Sequence, residues 1–174
     1  KNIPEWVINN TNKFLYFLAG YTDGEGIISI SKNSKKHISF IFVISSGDKD
    51  IIHPLFDGLK RLGFRPSLRK RRSAGDSNNF NGKILKYSQD QWMVRLKRRD
   101  EVLRLTELLP IRHMEKIKKR AVMIKLQNKV YIEDVMPHWL ELKNEISSES
   151  KQYLSEAQER LSRRSSSSKE VALV

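Results

Sequence analysis

Cysteine is absent from this chain, which excludes disulfides and metal sites held by thiolates. Histidine is scarce as well. His37, His53, His113 and His138 are scattered without i,i+4 pairing, a pattern that argues against a zinc centre. No apolar run approaches the roughly 20 residues of a membrane span, and no signal peptide is visible at the start. The expectation is an intracellular protein, in the cytoplasm, nucleoid or an organelle matrix. The first residue is Lys rather than Met, as in a chain that begins inside its gene product.

Acid is also scarce, but only locally. The net charge is +13 over 174 residues. Residues 1–60 contribute +1, residues 61–99 contribute +10 with only two acids, and residues 100–174 contribute +2. A basic excess concentrated in one stretch is the electrostatic footprint of a polyanion, whereas scattered lysine would suggest solubility alone. An anionic membrane would call for a basic amphipathic helix, and this stretch reads as strands. Apolar content of 39% is enough for one core.

Phe14, Leu15, Phe17, Leu18 and Tyr21 fall at helical spacing, which predicts a helix from about Asn12. Gly24 and Gly26 then bracket an acid where that helix must stop, so a left-handed glycine turn is expected. Asp23 and Glu25 lie at the negative end of the helix dipole, an arrangement that is costly unless a cation compensates. A hard divalent ion would accept both carboxylates and the free carbonyls of a helix end. Ala19 and Gly20, with Gly24 four residues on, leave room for another backbone to approach closely. The alternative is a buried helix ending in a glycine turn with two solvated acids.

The run 18–26, Leu-Ala-Gly-Tyr-Thr-Asp-Gly-Glu-Gly, resembles the signature of the LAGLIDADG homing endonucleases. Tyr21 and Thr22 occupy its variable apolar positions, and Gly24-Glu25 replace the family's Ala-Asp. The resemblance implies that two copies of the helix pack together through Leu18, Ala19, Gly20 and Asp23. It further implies that Glu25 is the metal ligand, that the Gly24 carbonyl contributes, and that Asp23 supports the turn. Glutamate in place of aspartate lengthens the arm and keeps the ligand chemistry.

After Gly26 the period becomes two. Ile28, Ile30, Ile38, Phe40, Phe42 and Ile44 form one face of a β-hairpin with a polar tip at 32–36. Its other face carries Ser29, Ser31 and Ser39, with Asn33, Lys35 and His37 near the tip, as candidate DNA contacts beside the plain reading of a solvated strand. Asp48 should cap a second helix with Ile51, Ile52, Leu55, Phe56, Leu59 and Leu62 buried and Gly63 as its stop. Residues 65–99 read as one long basic hairpin with a tip at 73–81. Along it Arg69, Arg71, Lys83, Lys86, Gln89, Gln91 and Arg95 would share a surface, and Arg and Gln suit base edges in the major groove.

A third helix spans 100–109. A fourth starts at His113 with Met114, Ile117, Ala121 and Ile124 inward and Lys116, Lys118, Lys119, Arg120 and Lys125 outward. The family places a basic residue of a Lys-x-Lys pattern beside the scissile phosphate, which points to Lys118 first and Lys116 second. Lys116 is otherwise a further DNA contact. The family's water-organising side chain at the end of the second strand corresponds to Ser46. A helix near 137–146, a break at 147–150, a short helix at 151–161 and a low-complexity tail complete the chain.

The element order predicts an α+β fold, the αββαββα LAGLIDADG core with a four-stranded antiparallel β-saddle backed by helices. Residues 1–162 should form one domain, followed by a disordered Ser/Arg-rich tail, 163–174. With one motif and no internal repeat, the resemblance implies a homodimer on a long pseudo-palindromic duplex. It implies an intron-encoded enzyme that cuts each strand once with Mg2+ and leaves 3′ overhangs. Mn2+ should substitute, and Ca2+ should support binding without cleavage. The rivals are an intron maturase or RNA-binding protein and a non-catalytic DNA-binding regulator.

Overall fold

Asn10 accepts the Lys13 N–H at 3.0 Å and so starts the helix that the rest of the fold is built on. The computed structural model describes residues 2–80 and 82–170, with side chains described up to 159 except at 80. The chain divides into two units, Lys1–Val135 and Met136–Val174.

In the first unit a short helix α1 (Glu5–Ile8) leads into α2 (Thr11–Glu25). α2 passes directly into β1 (Gly26–Lys32), followed by β2 (Ile38–Ser46) and α3 (Lys49–Arg61). Then come β3 (Ser67–Arg72), β4 (Ser77–Phe80), β5 (Lys83–Lys86), β6 (Gln91–Leu96), α4 (Arg99–Leu108) and α5 (Met114–Lys125). One antiparallel sheet has the order β1-β2-β6-β3. The sheet is α+β in class as the sequence predicts, with helices over one face.

That covered face is the alternation made solid. Ile28, Phe40, Phe42, Ile44, Val94 and Leu96 are at most 1% exposed and meet Phe14 and Leu18 of α2, Ile52, Leu55 and Leu59 of α3, and Val102 and Leu105 of α4 in one core. Asp48 caps α3 through the Asp50 N–H, and Gly63 ends it with φ +78°, both as expected. Gly58 is required by packing, since a Cβ there would enter the Phe14 ring.

Three expectations fail, each for a local reason. Neither Gly24 nor Gly26 is left-handed. Gly24 lies inside α2, and Gly26 is extended at φ −81°, ψ 150°, because the chain enters the sheet without a turn. The long basic hairpin is two structures: β3 pairs β6 in the sheet, while β4 and β5 pair as a separate ribbon from Ser77↔Lys86 to Phe80↔Lys83. Finally, Ser147 to Ser150 do not break a helix. α6 runs Ile132–Glu170, beginning in the first unit and forming the second. Ser148 and Ser150 donate their hydroxyls to the Glu145 and Ile146 carbonyls at 2.8 and 2.9 Å, so their side chains are satisfied inside the helix. The expected tail is helical in backbone from 163 to 170, and 171–174 lie outside the described residues. Among the described residues no helix is long and apolar enough to cross a membrane.

Candidate active site and nucleic-acid face

The end of α2 is a junction of two helices. The Lys116 ammonium, on the first turn of α5, donates to the carbonyl oxygens of Thr22 and, at 2.6 Å, of Asp23. In return the Asp23 carboxylate accepts the backbone N–H groups of Arg112, at 2.9 Å, and His113, at 3.2 Å, which lead into α5. The cation that the acidic helix end requires is therefore present in the chain itself. Burial lowers the Lys116 pKa, and Asp23, Glu115 and Glu25 act against that.

This rotates α5 from the expected orientation, with Ile117 and Ile124 half-buried and Lys125 exposed. Lys116 is 8% exposed, while Met114, expected inward, is 63% exposed and Ala121 is also exposed. The buried side of the helix is Lys116 and Met123. Hydrophobicity misassigns the face because a lysine that caps another helix has an interior partner that its own helix does not reveal. Lys118 is half-buried and interacts with its surroundings.

Glu25 is exposed and has no hydrogen bond or ion pair among the described residues. It directly precedes Gly26, which pairs Ile44, so it stands at the end of the sheet where β2 finishes. Ser46 is half-buried there, its hydroxyl accepting the Asp48 N–H at 3.1 Å in the turn into α3. Ser45 was not singled out by sequence. Its hydroxyl is buried without a hydrogen-bond partner among the described residues, and its alternation with Phe42 and Ile44 marks the uncovered side of the sheet. Among the described residues no three His, Asp or Glu side chains cluster to hold a metal.

The uncovered face carries Ile27, Ser29 and Ser31 from β1, Ser39 from β2, and Gln91, Met93 and Arg95 from β6. Register places Arg69 opposite Met93 and Ser67 opposite Arg95. Partial burial lowers the Arg95 pKa, and the nearby Arg69 charge adds to that; its Nε is buried without a hydrogen bond among the described residues. Two guanidinium groups thus lie close together on an open sheet, an arrangement that favours an anion. A β-bulge between Lys70 and Arg72 removes Arg71 from the alternation and sets Arg72 opposite Gln91, with its guanidinium 4.8 Å over the Tyr87 ring. A bulge has no reliable sequence signal, which is why Arg71 was expected in that place.

The remaining candidates are spread out. Lys83 and Lys86 lie on the β4–β5 ribbon, all of whose β5 residues are exposed. Gln89 is on the loop before β6, its side chain packed over Gly47. Asn33 and Lys35 are at the β1–β2 tip, where His37 accepts or donates at Ser34 Oγ, 3.2 Å away, and lies against Tyr131. Leu18 and Ala19, expected at an interface between copies, are buried in the chain's own core at 0% and 2% exposure. The open surface of α2 is instead Tyr16, Gly20 and Gly24: Tyr16 is 65% exposed, and a Cβ at either glycine would meet nothing within 4 Å.

A four-stranded antiparallel sheet with one helix-covered face, one basic open face and an acidic helix end at its margin defines the domain as α+β. Residues 13–110 match the LAGLIDADG-like domain, so the chain belongs to that family and the resemblance of 18–26 is confirmed. The match includes the motif helix, the sheet and α4, and stops before α5. A stretch of 125 residues, 72% of the chain, is 28% identical to the ATP-dependent DNA helicase Hel308 of Methanocaldococcus jannaschii, of which it spans only a tenth. Among solved structures, the chain is similar to the LAGLIDADG meganuclease I-AabMI bound to uncleaved DNA. That likeness has a TM-score of 0.41 and 19% identity over 66% of this chain and 37% of the other.

Proposed function

We propose that the protein is a site-specific double-strand DNA endonuclease that acts as a homodimer, with Glu25 of each copy at the cleavage centre. The observation that carries this reading is Glu25 itself: an exposed carboxylate at a helix end, with no hydrogen bond or ion pair among the described residues, whose neighbouring acid, Asp23, is fully engaged. An exposed carboxylate in that place is open to a ligand from outside the chain.

The donor set fits a divalent ion as half a site. One carboxylate and the adjacent Gly24 carbonyl are hard oxygen ligands, too few alone, and a second copy of the chain would double them. A divalent ion held there supplies charge neutralisation to a phosphodiester and acidity to an attacking water. Gly20 and Gly24 leave α2 open for close approach of that second copy, and a two-fold pair of saddles would meet a pseudo-palindromic duplex. Arg69, Arg95 and Arg72 would hold phosphate or guanine edges across the open face, and Gln91, Ser29, Ser31 and Ser39 would take other base edges. Lys83, Lys86 and Lys35 would extend the phosphate contacts outward, and Lys118 would offset charge at the scissile phosphate. Mg2+ is the physiological ion in this reading, Mn2+ an active substitute, and Ca2+ a ligand without turnover.

Selection of cleaved sites from a random duplex library tests activity, symmetry and specificity together. The expected product is a two-fold related consensus cut once on each strand, leaving 3′ overhangs, only in Mg2+ or Mn2+. An enriched site that is bound but never cut would make the protein a DNA-binding regulator, and preferential retention of intron RNA would make it a maturase.

A further inference from the structure

Two helix ends hold each other at the acidic turn. Lys116 of α5 takes two carbonyls of the last turn of α2, and Asp23 of that same turn takes the N–H groups of Arg112 and His113 at the entry to α5. The contacts span 89 to 94 residues of sequence, so they fix the relation between distant segments rather than the shape of either. Each partner stands at the dipole end that favours it, ammonium at the C-terminus of α2 and carboxylate at the N-terminus of α5. Thr22 O is shared between the Lys116 ammonium and the Gly26 N–H, the amide through which α2 gives way to β1. Glu25 lies between that carbonyl and that amide in the chain.

We propose that Lys116 is a positioning residue for Glu25 and not a contact to DNA. Its ammonium has three donors, and two are committed to carbonyls in a site that is almost closed to solvent. Turning it outward to a phosphate would take the ammonium from both carbonyls, leave Thr22 O to the Gly26 N–H alone, and loosen the last turn of α2. Lys116 therefore acts through the backbone. It sets where the helix ends, and with it the place of the Glu25 carboxylate and the Gly24 carbonyl. The role of Lys116 in turnover rests on the endonuclease reading, while the brace does not.

The test compares Lys116→Met, Lys116→Arg and Asp23→Asn with the wild-type protein in two settings. In the free protein, amide hydrogen exchange is followed at Gly26 and, as an internal control, at Val94 in the centre of the sheet. Lys116→Met should speed exchange at Gly26 several-fold with Val94 unchanged, Asp23→Asn should do the same, and Lys116→Arg should recover part of the protection. On a selected duplex, Lys116→Met should lower kcat by about a hundredfold, the size of effect that a small misplacement produces, with KM unchanged. The slope of log affinity against log salt, measured in Ca2+, should also be unchanged.

A Lys116→Met protein whose Gly26 exchanges as in the wild type, and whose salt slope falls by about one, would place Lys116 on a phosphate and overturn the proposal. If Lys116→Met does not fold, Asp23→Asn decides, and wild-type exchange and kcat in that variant would equally overturn it. A wild-type protein that cuts no duplex would refute the endonuclease reading, with the exchange measurement still deciding the brace.

Discussion

Gly26 has a backbone that any residue can adopt, yet no other residue fits. A Cβ there would stand 2.7 Å from both the Cα and the carbonyl oxygen of Thr22, atoms of the helix backbone that cannot step aside. Gly26→Ala should therefore destabilise the fold by about 1–3 kcal/mol, the usual range for overpacking, read as a lower midpoint in urea. Gly20 is the opposite case, because its missing Cβ faces open space in the single chain. Gly20→Ala should stabilise α2 by up to about 1 kcal/mol through helix propensity while weakening association of two copies, so melting and sedimentation should move in opposite senses. Next to the brace, Glu115 accepts from Lys119, and that hydrogen bond holds its carboxyl below the ordinary carboxylate range. A carboxylate with a depressed pKa in the folded state contributes stability above its unfolded pKa and loses it as pH falls through the folded one. Glu115→Gln should thus remove part of the acid-side fall in stability and leave the neutral side of the profile nearly flat, measured as midpoint against pH.

The elements whose residues obey one period were legible. β1 and β2 alternate apolar with polar and pair as a hairpin; α3 has a cap, a stripe and a glycine stop, and is observed at Lys49–Arg61. Legibility failed where a residue answers to something distant in sequence. α5 reads as a basic amphipathic helix until Lys116 meets a carbonyl contributed by residue 22, and the far end of α5 is likewise held by Arg99, which donates to the carbonyls of Leu126, Gln127 and Lys129 and lies 4.3 Å over the Phe40 ring. The serines at 147–150 suggest a break because their hydroxyls compete with helix hydrogen bonding, yet two of them bond back within the helix and do not interrupt it. The β4–β5 ribbon was hidden because Ser, Asn and Gly in a row suggest a loop. That ribbon carries Lys83 and Lys86 outside the main sheet, so replacing both with alanine should weaken DNA binding almost equally for all sequences. The salt slope should fall by about two, since each phosphate contact contributes roughly one unit.

At the level of the molecule, the charge map and the fold converge. The +10 stretch becomes β3, the ribbon and β6, one half of the sheet, and Arg69, Arg72 and Arg95 of it lie on or beside the open face of that sheet. The motif was legible from the sequence as a resemblance, and the match over 13–110 establishes the family. What the nine residues could not show was which side of α2 is free, because Leu18 and Ala19 point into the chain's own core and leave Gly20 and Gly24 outside. The account requires that two such helix ends bring two Glu25 carboxylates to one duplex. The most direct measurement compares wild type and Glu25→Gln on a selected site, binding in Ca2+ and cleavage in Mg2+. The account predicts that Glu25→Gln binds the duplex with wild-type affinity and cuts neither strand, whereas cleavage by Glu25→Gln at the wild-type rate would contradict it.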